Sequence, residues 1–149
     1  MSISYRAARP EDVAACIDIR GKTRENAFSA EDLAAVGVTL ESWSAAVADG
    51  SLPGYVATSG GRIAGYCYGD LSTGEIVVLA LLPEYEGAGV GKTLLNLVVR
   101  VLKEQGFDRV FLGCASDPRV RSYGFYRHLG WRSTGTFDLA NDEVLEFFP

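Results

Sequence analysis

The stretch that most constrains the fold lies in the middle of the chain, where an apolar run leads through a glycine-rich turn into a long amphipathic segment. The run "EIVVLALL" is apolar without alternation, which predicts a central strand that is covered on both faces. Residues 89–105 carry apolar side chains at helical spacing, and Gly106 ends that helix. A strand, a tight turn and a helix that packs on the sheet predict a mixed α/β domain.

The segments before this unit predict one strand, three helices and a hairpin. "ISYRAAR" is rich in β-formers, and Pro10 fits the first turn of a helix over about 10–21. Ser29 and Thr39 are suitable caps for two more helices, "SAEDLAAV" and "LESWSAAVADG". Two glycines between "GYVATS" and "RIAGYCYGDL" then predict a hairpin.

The segments after the central helix predict a strand, a helix and a last hairpin. "DRVFLGCAS" is a second buried strand, and 118–129 form a helix ended by Gly130. "WRSTGTF" and "EVLEFFP" can pair across "DLAND". Because crossovers are right-handed, "EIVVLALL" and "DRVFLGCAS" should be parallel neighbours. We further expect that the last strands, with Phe147 and Phe148, could form an edge that pairs between subunits.

Size, charge and cysteines exclude several classes of protein. A chain of 149 residues suits one domain over 1–149 that needs no disulfides. The net charge is −5 and no Lys/Arg run stands out, which disfavours nucleic acid as the main partner. No apolar run approaches the roughly 20 residues of a membrane span, and no secretory leader is recognisable, so we expect a cytoplasmic protein.

The cysteines and the histidine predict structural roles and no metal site. Cys16, Cys67 and Cys114 lie in apolar stretches, as reduced core thiols do in a cytosolic protein. A catalytic thiol is the alternative. His128 is the only histidine and lies in a predicted helix, so the usual metal cluster cannot be assembled and we expect it to be inert.

The glycine-rich turn "YEGAGVGKT" predicts a phosphate-binding site. Alternating glycines let the backbone approach a ligand, and the free N–H groups at a helix start favour an anion. Tight packing of helix on strand is the other reason for glycines there. An ATPase loop is excluded because Glu86 stands where its first Gly belongs, and a dinucleotide fingerprint lacks its third Gly at Lys92.

Two motifs then resemble the GNAT N-acetyltransferase superfamily. "LALLPEYEGAGVGKTLL" is similar to that family's acetyl-CoA-binding segment, Gln/Arg-x-x-Gly-x-Gly/Ala after a hydrophobic strand. "GFYRHLGW" is similar to its late segment Phe-Tyr-x-x-x-Gly-Phe, and "ISYRAARPEDVAACIDIR" to its first strand and helix. The resemblance implies a mostly antiparallel sheet with a central splayed parallel pair of strands, flanked by helices. It also implies acetyl transfer from acetyl-CoA to an amine within a ternary complex.

The resemblance implies a set of acetyl-CoA-binding residues. The pyrophosphate would be held by Gly87, Ala88, Gly89, Val90, Gly91, Lys92 and Thr93. The pantetheine arm would pair with Leu79 and Leu81, and an N–H near Leu81 would polarise the thioester carbonyl. Two positions depart from the family. Glu86 replaces the usual Gln or Arg and is expected to face solvent, and Asp117 replaces an Asn, so that it can only accept hydrogen bonds while ionised.

The resemblance also implies an acid and a base. Tyr126 occupies the family's tyrosine position, where a phenol can donate a proton to the leaving thiolate; an aromatic core residue is the alternative. A carboxylate must take the proton of the amine, and Glu75 at the head of "EIVVLALL" is the first candidate. Asp70 and Glu41 are alternatives, and a solvated charge is the other interpretation of Glu75.

The acceptor is predicted to be a small amine or an amino-acid-like molecule. The segment 21–50 should cap its site, with Arg24 and Asn26 for polar recognition and Tyr66 and Tyr68 as a pocket wall. The two tyrosines could instead cover sheet surface, and the polar residues could belong to a capped helix end. A protein or peptide acetyltransferase and a non-catalytic acyl-CoA sensor are the competing hypotheses.

Overall fold

A seven-stranded sheet organises the computed structural model, which describes residues 2–23 and 27–149. Its order is β1-β2-β3-β4-β5-β7-β6, and only the central pair β4–β5 is parallel. The strands are β1 Ser4–Ala7, β2 Gly54–Ser59, β3 Arg62–Asp70, β4 Glu75–Leu81, β5 Val110–Cys114, β6 Arg132–Phe137 and β7 Glu143–Phe147. The predicted α/β class and its parallel central pair are confirmed.

Five helices flank the sheet in the described part of the chain. They are α1 Val13–Arg20, α2 Ala30–Ala35, α3 Leu40–Asp49, α4 Val90–Glu104 and α5 Arg121–His128, and 3-10 turns at Pro10–Asp12 and Pro83–Tyr85 precede α1 and α4. The predicted caps are confirmed: Ser29 Oγ accepts from the N–H of Asp32 at 3.1 Å, and Thr39 Oγ1 accepts from that of Ser42 at 3.0 Å. These bonds satisfy backbone donors that the first turn leaves unpaired.

The two faces of the sheet are covered by different helices. Alternate residues of β3 show this, because Cys67 packs with the core under α4 whereas Tyr66 and Tyr68 pack with α1 and α3. Leu94 and Val98 of α4 are fully buried in the first cluster. Burial of such side chains contributes roughly 1.5–3 kcal/mol each, so α4 anchors the glycine turn that precedes it.

A β-bulge in β4 opens the sheet at its centre. Tyr68 pairs with Val78 and the next residue of β3 pairs with Ile76, so Val77 is an extra residue on β4. On the other side β4 pairs with β5 at a single position, Glu75 with Phe111. The strands therefore part beyond Glu75. The prediction that the protein covers both faces of this run is wrong at Val77, which is 38% exposed.

The thiols agree with the sequence prediction, whereas the last hairpin agrees with it only in part. The three cysteines are buried and free, as predicted, and burial raises the pKa of the Cys16 thiol to about 12. Of the last two strands, β6 is the edge strand at this end of the sheet, whereas β7 lies between β5 and β6, and its Phe147 stacks on Trp131 at 5.3 Å. Among the described residues no helix is long and apolar enough to cross a bilayer.

Candidate active site

Strands β4 and β5, where they part, form one wall of a cavity of about 900 Å³. Its floor and sides are the second half of β4, the end of β5, the glycine turn and the start of α5. Beyond Glu75 the β5-facing edge of β4 has no strand partner within the described residues. Backbone N–H and C=O groups along Leu79 and Leu81 are therefore available to an extended ligand, as the predicted pantetheine contacts require.

The glycines of the turn have two different physical roles. Gly87 and Gly89 have φ values of 81° and 78°, and a Cβ on either would meet nothing within 4 Å. They are glycines because the backbone is left-handed there, and packing does not require them. Gly91 differs, since its Cβ would lie 3.4 Å from Leu81 Cδ1 and from Phe125 Cζ. Packing therefore accounts for one glycine and the shape of the turn for two.

The predicted pyrophosphate residues do not all reach the cavity. Gly87, Gly89, Val90, Gly91 and Lys92 line it. Ala88 is exposed at the outside of the turn, and the hydroxyl of Thr93 donates to the carbonyl of Gly89 at 3.0 Å. Thr93 thus closes the first turn of α4.

Glu86 does not face solvent, contrary to the expectation from sequence. Its side chain is only 15% exposed, and Oε1 lies 3.8 Å from Nε of Arg121 at the start of α5. Both residues line the cavity. The arginine offsets a carboxylate that would otherwise repel an anion held by the turn.

Tyr126 is both a core residue and a residue that lines the cavity. Its ring is a core residue with 8% exposure, in edge contact with Phe125 at 5.0 Å and Trp131 at 6.0 Å. Its side chain also lines the cavity, and no hydrogen bond to its hydroxyl is found within residues 2–23 and 27–149. Burial raises the pKa of the phenol, so it stays protonated and can donate.

Asp117 is held away from the cavity. Its carboxylate accepts from the backbone N–H of Arg119 at 2.9 Å and pairs with that guanidinium at 2.9 Å. The bond to Arg119 lowers the pKa of Asp117, which is therefore ionised at neutral pH. The position can donate nothing to a ligand in this state.

The three candidate bases lie in different surroundings. Glu75 is half-buried at the point where β4 and β5 still pair, and burial, followed by the charges of Asp70 and Asp138, raises its pKa. Asp70 accepts from the N–H and hydroxyl of Ser72 at 2.8 and 2.7 Å, and its pKa is lowered. Glu41 is exposed on the first turn of α3. Burial thus raises the pKa of Glu75, which is not among the residues that line the large cavity.

The two tyrosines that were predicted to form a wall of the acceptor pocket lie in different environments. Tyr66 lines a second, smaller cavity of about 130 Å³. Tyr68 is fully buried behind it, with its ring 5.6 Å from that of Tyr66 and its hydroxyl 3.6 Å from Cys16 Sγ. Arg24 and Asn26 lie outside the described residues.

Three residues that the sequence did not single out also belong to the site. Arg20 at the end of α1, Gly113 of β5 and Asp142 beside β7 all line the large cavity. A glycine inside a buried strand marks a close approach of another group, and this signal could have pointed to Gly113. The acidic loop "DLAND" is the corresponding signal for Asp142.

Residues 13–131 match the Acetyltransferase (GNAT) family. The chain therefore belongs to the GNAT acetyltransferases, which are acyltransferase enzymes. It is 41% identical over 73 residues to an uncharacterised N-acetyltransferase, ycf52-like, of Prochlorococcus marinus, across 47% of this chain and 38% of that protein. The chain spans half the length or less of the curated relatives that it matches.

Solved structures share the fold over the whole chain. The PaiA N-acetyltransferase of Thermoplasma acidophilum, in complex with coenzyme A, has a TM-score of 0.77 at 21% identity, covering 100% of both chains. The structure of yncA from Salmonella typhimurium, with its cofactor acetyl-CoA, has a TM-score of 0.77 at 17% identity, covering 99% of this chain and 94% of that one. Both are neighbours in fold, and both were solved with the same class of co-substrate.

Proposed function

We propose that the enzyme moves an acetyl group from acetyl-CoA to the primary amine of a small molecule, by direct attack within a ternary complex. The observation that carries this proposal is the gap between β4 and β5. A left-handed glycine turn lies at one end of it, and the hydroxyl of a buried Tyr126 borders it.

The described residues are suited to bind acetyl-CoA, the acetyl donor. The turn places the N-terminus of α4, a helix of 15 residues, at the cavity, where its unpaired N–H groups and its dipole favour a pyrophosphate. Lys92 adds a positive charge at the same point. The unpaired edge of β4 can hydrogen-bond an extended arm at Leu79 and Leu81. When bound, acetyl-CoA supplies an activated thioester.

Tyr126 is the proposed general acid. Its hydroxyl is protonated and borders the cavity, so that it can give its proton to the departing sulfur. Glu75 remains a proposed base because its pKa is raised and it stands at the closed end of the gap. Asp142 is a second candidate base, and it lines the cavity itself.

The test is a thiol-release assay over a panel of amines. Tyr126→Phe should lower kcat about 10-fold or more and leave the Kd of acetyl-CoA within about twofold, since a general acid contributes 10²–10⁴-fold in typical cases. Tyr123→Phe changes a nearby tyrosine on the same helix that stacks under Arg127 and is outside the cavity, and serves as control. An unchanged kcat for Tyr126→Phe would refute the assignment.

A peptide acetyltransferase and an acyl-CoA sensor are the alternatives. The small cavity of about 130 Å³ beside Tyr66 favours a compact acceptor over an extended peptide. Tight binding of acetyl-CoA without acetylation of any amine would favour the sensor. Preference for peptide N-termini over free amines would favour the peptide enzyme.

A further inference from the structure

The large and the small cavity meet at one point. Arg20, Phe28, Val77 and Val78 line both of them. The bulge that adds Val77 to β4 thus faces the gap on one side and the small cavity on the other. A molecule whose nitrogen reaches the gap could place a second group in the small cavity.

The small cavity is apolar and close to the size of a compact hydrocarbon group. Beyond the shared residues it is lined by Ile17, Leu33, Val38, Trp43 and Tyr66. Its volume of about 130 Å³ is similar to the roughly 150 Å³ of an apolar cavity that accepts benzene. A branched aliphatic or a phenyl group fits such a space, whereas a charged chain would lose its hydration there.

A positive group lies at the junction of the two cavities, and a negative group lines the large cavity. The guanidinium of Arg20 lies 4.6 Å from the ring centre of Phe28, which places its charge at the meeting point. Asp142 lines the large cavity, and Arg20 is close enough to lower its pKa. Burial, followed by the charge of Asp138, acts more strongly in the opposite direction, and the pKa of Asp142 is raised on balance.

Gly113 makes room for the negative group. A Cβ there would collide with Asp138 Oδ2 and lie 3.3 Å from Asp142 Cβ. Asp138 in turn accepts from the backbone N–H of Asp142 at 3.0 Å, which holds the loop over β5. The other titratable groups around Asp142 are Cys114, Tyr126 and His128, while the neighbouring Glu143 is paired with Arg127 at 2.5 Å.

A hydrogen-bond donor of the chain also borders this part of the cavity. The hydroxyl of Tyr126, a residue with 8% exposure, borders the same cavity as Asp142 and has no hydrogen-bond partner within the described residues. Since no fully buried side-chain oxygen or nitrogen lacks a partner in the described residues, this hydroxyl is open to the cavity and can donate to a molecule bound there.

We infer that the acceptor is an α-amino acid with an apolar side chain. Asp142 binds the ammonium group, Arg20 binds the carboxylate, and the small cavity holds the side chain. This inference rests on the proposed function. Arginine suits a carboxylate because its planar fork can donate two parallel hydrogen bonds.

Asp142 and Tyr126 account for the proton transfers that this reaction needs. The ammonium gives one proton to Asp142, and the freed nitrogen forms a bond to the acetyl carbon. The bond from that carbon to sulfur breaks, and the sulfur takes the proton of Tyr126. The second proton on nitrogen leaves as the amide forms and restores the phenol through water. The products are an N-acetyl amino acid, the free thiol of CoA and one proton, which Asp142 releases to solvent.

The experiment crosses two variants with two matched acceptors. Leucine and isoamylamine share the ammonium and the side chain, but only leucine carries a carboxylate. Arg20→Gln should lower kcat/KM for leucine about 10–100-fold and affect isoamylamine far less, since a hydrogen bond to a charged group is worth about 1.5–3 kcal/mol. Asp142→Asn should weaken both acceptors, because both carry the ammonium. The kcat of Glu75→Gln is compared with that of Asp142→Asn, because loss of the general base should lower kcat more than loss of the other carboxylate.

A matched pair of variants tests the small cavity. Val38→Phe fills it, whereas Val36→Phe adds the same group at a residue that is 68% exposed and lies outside both cavities. We expect a KM for phenylalanine at least about 10-fold higher in the first variant and no change in the second. Equal effects of the two variants would contradict the inferred pocket.

Binding gives a readout that does not depend on turnover. Calorimetry with leucine and CoA should give measurable heat for the wild-type protein, with a Kd raised about 10-fold or more in Arg20→Gln and in Asp142→Asn, and melting curves check that both variants are folded. Preference for spermidine or for isoamylamine over leucine would overturn the inference and leave the proposed function standing, whereas preference for peptides would overturn both. Failure to acetylate any amine would overturn both.

Discussion

Replacing Gly89 by alanine separates the conformation of the turn from its role in binding. Gly89 is left-handed with φ of 78°, and a Cβ there meets nothing within 4 Å. Gly50, which ends α3, has φ of 85° and the same open surroundings, but it lies outside the cavity. Gly50→Ala is therefore a control that carries the same backbone strain.

The expected loss of stability follows from that strain. A residue with a Cβ in the left-handed region costs about 1–2 kcal/mol, and neither site adds a steric clash. For a chain of 149 residues, 1 kcal/mol corresponds to about 2–4 °C in Tm. Both variants should therefore melt about 2–8 °C below the wild type, by calorimetry or circular dichroism.

The affinity for acetyl-CoA should distinguish the two variants. Gly89 lines the cavity, so the methyl group would stand where the turn is proposed to admit the pyrophosphate. We expect the Kd from titration calorimetry to rise about 10-fold or more for Gly89→Ala and to stay within twofold for Gly50→Ala. If Gly89→Ala bound acetyl-CoA as tightly as the wild type, the turn would not be the pyrophosphate-binding site.

Further predictions concern charge and packing. Glu86→Gln removes a negative charge beside the turn and should tighten acetyl-CoA binding a few-fold, more at low salt than at high salt; weaker binding would contradict this. Asp12 is 6% exposed and paired with Arg6 at 2.7 Å, and that bond lowers its pKa from the ordinary value of 3.8. Because the folded state favours the ionised carboxylate, the pair stabilises the fold by about 1–3 kcal/mol at neutral pH, and this stabilisation is lost as the pH falls below about 4. Asp12→Asn should abolish that part of the acid dependence in urea titrations, and an unchanged profile would refute it. Leu94→Ala should lower the free energy of unfolding by about 2–5 kcal/mol in the same assay, because Leu94 is fully buried; a loss under about 1 kcal/mol would contradict its place in the core.

The sequence predicted elements that are determined locally. The caps at Ser29 and Thr39, the hairpin at Gly60 and the end of α3 at Gly50 depend on residues within a few positions of one another. The central parallel pair was also predictable, because the handedness of crossovers leaves few arrangements.

Contacts between distant segments were not predictable in the same way. The orientation of Glu86 depends on Arg121, which lies 35 positions later and reaches it only after β5 and α5 are placed. Asp142 enters the cavity because Gly113 has no side chain, and this requires the pairing of β5 with β7. Periodicity within one segment carries no information on either contact.

The bulge in β4 connects the wrong prediction about that strand with its proposed role. A run without alternation normally indicates a strand that protein covers on both faces, yet Val77 is 38% exposed and borders both cavities. The extra residue bends β4 away from β5, so that pairing stops at Glu75 and a row of apolar side chains faces a gap. Such side chains are costly to leave in water but suit an extended ligand arm on one side and an apolar acceptor group on the other. The apolar character of β4 is thus explained if substrates, rather than a second layer of protein, complete its burial.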